Sequence, residues 1–123
     1  MVLKETDERF EVRASTIPGA GEGLFARAPL RAGDRLEAIG VLVQSGSLED
    51  RCTAFADEYK LRVGDFLLLP LGYAGKLNHS DQPNLAKVVE GTSLFMEALR
   101  DIAPGEELFF TYSDYARERF GIR

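Results

Sequence analysis

A mostly-β fold, built from several small curved sheets with one or two short helices, is what this sequence predicts. Three observations predict it. Apolar residues fall in short runs, several with alternating polarity, which suits half-buried strands. Turn signals separate those runs: the 123 residues include 12 glycines and 5 prolines. Only one stretch carries apolar residues at helical spacing. The length supports a single hydrophobic core, and 45% hydrophobic with 28% charged residues is globular composition.

Taken in order, residues 1–9 are polar and are expected to form a loose lead-in, leaving 10–123 as one domain. "FEVRA" alternates, with Phe10, Val12 and Ala14 on one side and Glu11 and Arg13 on the other, which predicts a half-buried strand. "IPGAGEG" is too rich in glycine for a regular element, and "LFARA" reads as a second strand. "LRAGD" supplies a turn before a third strand run, "RLEAIGVLV". In "SGSLEDRCTAFADEY", Leu48, Cys52, Phe55 and Tyr59 recur at helical spacing, with Ser47 placed to cap and Asp50 three residues on. "YKLRV" and "FLLLP" flank a Gly-Asp turn, and "LAKVV" and "SLFMEAL" flank "EGT"; both pairs predict hairpins. A Pro-Gly turn in "DIAPGEE" precedes the last strand, "LFFTY".

The bulk numbers exclude several functions. Net charge is −5 and no run of Lys or Arg marks a nucleic-acid footprint. Acidity favours a cationic partner by long-range attraction, or simply aids solubility. Cys52 is the only cysteine and His79 the only histidine, so no internal disulfide can form, the two cannot build a zinc site alone, and no metal is expected. "MVLKETDERF" lacks the apolar run of a signal peptide or membrane span, which makes cytoplasmic location the expectation.

Three stretches carry possible chemistry. "GAGEG" fails as a dinucleotide fingerprint, because position 24 is Leu24, and fails as a P-loop, because no Gly-Lys-Ser/Thr follows. It is a flexible turn, or a place where backbone groups approach a ligand closely. "NHSDQPN" sets His79 among side chains that hold tight turns, with Pro83 stiffening the exit. Structural residue, general base and ligand all stay open for that imidazole. "EALRDIAPGEELFFTYSDY" places Tyr112 and Tyr115 at the end of the last strand, as rim residues of a core or as site residues.

In this order, "GAGEGLFA", "LGYAGKLNHSDQPN" and "RDIAPGEELFFTY" resemble the SET domain of protein-lysine methyltransferases, from about Phe10 to Tyr115. The length is similar to that of the small stand-alone SET proteins of bacteria and viruses. The resemblance implies small curved sheets with the C-terminal segment threaded under a preceding loop in a knot-like arrangement. It also implies S-adenosylmethionine as methyl donor and a lysine in a basic protein or peptide as acceptor. On that mapping Asn78 and His79 cradle the donor, and Ala20, Gly21, Glu22 and Gly23 line the opposite wall through backbone groups. Tyr112 is implied as the tyrosine at the transfer site, itself also touching the donor. Tyr73, Tyr115 and Phe120 become the aromatic walls of the lysine channel. The chain departs from the family pattern at Ala38, where many relatives carry a channel aromatic for which Tyr59 or Tyr73 would compensate, and at Leu77 and Asp81, which flank Asn-His-Ser. It ends eleven residues past Tyr112, which motivates a homodimer that completes the site. Ala38 and the short tail also motivate an alternative reading: a SET-fold module that binds a peptide or the donor without catalysis.

Overall fold

The computed structural model describes residues 2–3, 8–57 and 59–111. Eleven strands fall into four small sheets among these residues. The largest sheet has β4 (Arg35–Ala38) flanked by β1 (Val2–Leu3) in parallel and by β10 (Ser93–Ala98) in antiparallel, with β9 (Leu85–Glu90) outermost. β9 and β10 form the predicted hairpin, turned at Gly91, whose φ of +64° suits glycine. A second sheet orders β5 (Gly40–Gln44), β7 (Phe66–Pro70) and β6 (Leu61–Val63), all antiparallel. β2 (Phe10–Ala14) and β3 (Glu22–Ala26) make a third, and β8 (Asn78–His79) runs parallel to β11 (Phe109–Phe110) in the fourth.

One core fills the space between them. Leu24, Leu94, Met96, Ile102 and Leu108 are sealed at its centre, each at most 1% exposed. Leu3 belongs to the same core at 2% exposure: within the stretch expected to be a loose lead-in, Val2 and Leu3 pair as β1 with the free edge of β4. The segment after the Pro-Gly turn runs along β3: the Leu108 amide donates to the Leu24 carbonyl at 2.7 Å, and the Ala26 amide to the Glu106 carbonyl at 2.9 Å. That pairing carries residue 107 to the mouth of the glycine stretch.

Two elements differ from expectation. The run 35–43 is two strands, not one: β4 and β5 part at Ile39 and join different sheets. Gly40 sets the crossing, since a Cβ there would collide with the Leu69 carbonyl. The predicted helix is only α1 (Leu48–Cys52), followed by a 3-10 turn at Ala54–Ala56. Ser47 caps it as expected, accepting from the Asp50 amide. Its apolar stripe faces solvent, however: Leu48 is 61% exposed, Phe55 85% and Tyr59 57%. What is buried instead is charged. The Lys60 ammonium lies between Asp50 and Asp57, donating to each carboxylate at 2.7 Å and to the Asp50 carbonyl at 2.9 Å. Those local bonds fix the loop's shape and turn its apolar side outward. The knot-like threading falls on the C-terminal segment from 112, outside the described residues.

Candidate functional site

The glycine stretch forms one wall of a cleft. Ser15 donates its amide to the Gly21 carbonyl at 2.8 Å, closing a loop over residues 15–21. Gly19 and Gly21 stand at φ of +77° and +76°, a region closed to most side chains, which is why the loop needs both. β3 then starts at Glu22, two residues inside the stretch that composition left irregular.

The opposite wall comes from a 3-10 turn at Tyr73–Lys76 that leads through Leu77 into β8. Ala20, Gly21 and Glu22 face Lys76, Leu77 and Asn78 across a cleft of about 270 Å³. The Asn78 amide bridges it, donating to the Glu22 carbonyl at 3.0 Å. Lys76 and Glu22 pair at 2.9 Å on the exposed rim, an ion pair in solvent that adds little stability. The cleft is thus bordered by backbone groups on one side, by Asn78, whose NH₂ is already engaged, on the other, and by a paired Lys76 and Glu22 at the rim.

Beneath the cleft lies Glu107, 6% exposed. Its Oε1 accepts from the Thr16 amide at 2.8 Å and the Thr16 hydroxyl at 2.6 Å. Its Oε2 accepts from the Ser15 hydroxyl at 2.7 Å and the Asn78 amide at 3.2 Å. Gly23 makes room for it, because a Cβ at 23 would collide with Oε2. Burial alone pushes this carboxyl up; the Thr16 and Ser15 hydroxyls, the Thr16 amide and Asn78 together more than offset it and hold the group below its ordinary value.

Two further openings share walls with the cleft. A narrow crevice of about 10 Å³ lies between Tyr59, Leu61, Ala74, Leu77 and Phe110. On the other side an apolar groove of about 480 Å³ runs past Phe55, Tyr59, Pro70 and Leu71. Tyr59 and Gly75 border all three openings.

The structure thus brings Ala20, Gly21, Glu22 and Asn78 together and sets Gly23 directly behind them. His79 is next in β8, paired in register with Phe110, and does not border the cleft; its Nε2 lies 3.2 Å from an Asp81 oxygen. Tyr73 packs on the core, its ring 5.4 Å from that of Phe10, away from all three openings. Ala38 is buried in β4 opposite Leu94. Tyr112, Tyr115 and Phe120 lie outside the described residues. The chain reaches them from beside the site, since the Thr111 hydroxyl donates to the Ser80 carbonyl at 2.8 Å. Sequence reasoning assigned no role to Glu107 or Lys76. The signal available for Glu107 was a second acidic residue behind a Pro-Gly turn, with Ser15 and Thr16 just ahead of the glycine stretch and Asn78 in the histidine motif.

Residues 21–113 match the SET domain family. Two solved structures share the fold. One is a humanized mutant of the Chaetomium thermophilum Polycomb Repressive Complex 2 bound to an inhibitor, with TM-score 0.72 and 23% identity over 85% of this chain. The other is a candidate histone methyltransferase of Plasmodium falciparum, with TM-score 0.67 and 20% identity over 88% of this chain. This chain spans 15% of the first and 96% of the second. At these identities the likeness is one of fold.

Proposed function

The chain belongs to the SET-domain family, and from that premise we propose that it is a protein-lysine N-methyltransferase that uses S-adenosylmethionine. The observation that carries the proposal is the shared cleft: the glycine wall and Asn78 meet across one opening, with the last strand running beside it. When bound, S-adenosylmethionine supplies a methyl group on a sulfonium, open to in-line attack.

The residues of this chain would do four things. Ala20, Gly21, Glu22, Gly23 and Asn78 hold the nucleoside, and His79 secures the strand that carries Asn78. A dry channel for the acceptor would form beside Tyr59, Leu77 and Phe110, where the crevice of about 10 Å³ as it stands has room for about one water. A lysine amine attacks only when neutral, and its ordinary pKa is about 10.4. An apolar channel disfavours the charged ammonium, so its proton passes to water and the neutral amine forms without a strong protein base. On the family pattern Tyr112 would be the tyrosine whose hydroxyl orients the amine, and Tyr115 and Phe120 would be aromatic partners of Tyr59 for the methylammonium. The groove past Phe55 and Leu71 suits the backbone side of the acceptor, and the net charge of −5 favours a basic one.

The test is incubation with labelled S-adenosylmethionine and a cell extract, followed by mass spectrometry of labelled lysines. Tyr112→Phe should lower turnover by roughly 100-fold while leaving donor affinity within about twofold. Wild-type turnover in that variant would remove Tyr112 from the transfer site. Donor binding with no labelled lysine in any extract would favour the module that binds without catalysis.

A further inference from the structure

In that reading Glu107 touches no reactant, yet it is bonded to both walls of the cleft. We propose that Glu107 is a positioning residue, an ionised carboxylate that fixes the separation between the glycine wall and Asn78 before any ligand arrives. The proposal rests on the reading of the cleft as the S-adenosylmethionine site.

The geometry is specific. Both carboxylate oxygens accept two bonds each, and all four donors are neutral: the amide and hydroxyl of Thr16, the Ser15 hydroxyl and the Asn78 amide. Ser15 and Thr16 form the base of the glycine loop, and the Ser15 hydroxyl in turn accepts from the Ile17 amide at 3.0 Å. Asn78 spends its second N–H on the Glu22 carbonyl, so its side chain is held by both segments at once. One group therefore joins positions 91 and 92 residues away in sequence on one side and 29 away on the other. A glutamine has the same volume but offers one accepting oxygen and one NH₂. That NH₂ must face either the Thr16 pair or the Ser15–Asn78 pair. Ser15 can reverse its hydroxyl; the Thr16 backbone amide cannot, and Asn78 can turn its oxygen to that NH₂ only by giving up its bond to the Glu22 carbonyl. Glu107→Gln thus breaks the junction without opening a cavity.

The experiment uses the whole chain. Hydrogen exchange of the ligand-free protein should be faster by about tenfold in peptides covering residues 14–23 and 77–80 of Glu107→Gln, with the β9–β10 hairpin unchanged. By calorimetry, S-adenosylmethionine and S-adenosylhomocysteine should both weaken by a similar factor of about ten. Adding Asn78→Ala to Glu107→Gln should cost less than Asn78→Ala costs alone, because the two share one junction. Thr16→Val, which removes one hydroxyl donor, should show the same pattern at smaller size and serves if the first variant does not fold. Unchanged exchange over residues 14–23 overturns the proposal, and so does equal acceleration in every peptide, which would mean general destabilisation. Weakening confined to the charged S-adenosylmethionine also overturns it, since a field effect would then replace positioning. A wild-type chain that binds neither ligand defeats the functional reading; the exchange result still decides whether Glu107 sets the two walls.

Discussion

The two regions on either side of the cleft are each organised by a buried charge, and they use it differently. At the glycine wall one carboxylate, Glu107, gathers neutral donors from segments far apart in sequence. In the loop that carries α1, one ammonium, Lys60, gathers two carboxylates from three and ten residues away. The first arrangement sets the distance between separate parts of the fold, so it determines the shape of the site. The second sets only its own loop's shape and leaves that loop's apolar residues outside, where a partner can meet them. Charge at long sequence separation builds the cleft; charge at short separation presents a surface.

The largest expected effect comes from breaking the local arrangement. Lys60→Ala removes all three donated bonds and leaves Asp50 and Asp57 facing each other, both about nine-tenths buried at the side chain. Removing one partner of a buried pair is far worse than replacing the whole pair, because the orphaned charge cannot be resolvated. The ammonium is sealed from solvent and sits at the edge of the fold beside an exposed loop, so a loss near the low end of the usual range is expected, about 3 kcal/mol. Urea unfolding of the variant checks this. A loss below about 1 kcal/mol would mean the cluster behaves as a surface pair and does not hold the loop.

A smaller effect distinguishes the cleft junction, and pH is the probe. Protonating Glu107 neutralises the charge instead of orphaning it, so the cost is less than that of removing Lys60. The folded carboxyl is held below its ordinary value of 4.5. Its contribution is therefore fully present above that value and is lost as pH falls from there through the folded one. Other carboxylates titrate in the same window, Glu106 among them, held down by the Arg100 guanidinium and the Ala103 amide. The informative quantity is the difference between wild type and Glu107→Gln: the wild type should be the more stable above pH 4.5, with the gap narrowing below it. A gap that stays constant with pH would show that the ionised form carries no special weight.

Much of this fold was legible because it depends on local rules. Glycine turns at 64 and 91 placed two hairpins, and Ser47 with Asp50 placed a helix start. Of the three motif segments expected at one site, two share a cleft through Ala20, Gly21, Glu22 and Asn78, while Tyr112 of the third lies outside the described residues. What was not legible depends on tertiary partners. An unbroken apolar run cannot reveal that Gly40 crosses the Leu69 backbone and divides β4 from β5. A Leu, Cys, Phe, Tyr spacing reads as a core stripe until two aspartates three and ten residues from Lys60 claim the interior. Glu107 received no role from the sequence, because its Ser15 and Thr16 donors lie about ninety residues upstream.

The smallest expected effect tests the presenting half of the comparison. Phe55 is 85% exposed and borders the apolar groove with Tyr59 and Leu71. A side chain that buries so little in the folded state loses little when replaced, so Phe55→Ser should change unfolding stability by no more than about 0.5 kcal/mol. The same change removes an aromatic from the groove proposed to receive the acceptor. KM for an acceptor peptide should rise while kcat holds, since binding is lost without touching the transfer site. A stability loss of about 2 kcal/mol or more would show Phe55 to be covered in solution, by residues 112–123 or by a second copy. The loop's apolar side would then serve the fold itself, and the division between a region that builds the cleft and a region that presents a surface would fail.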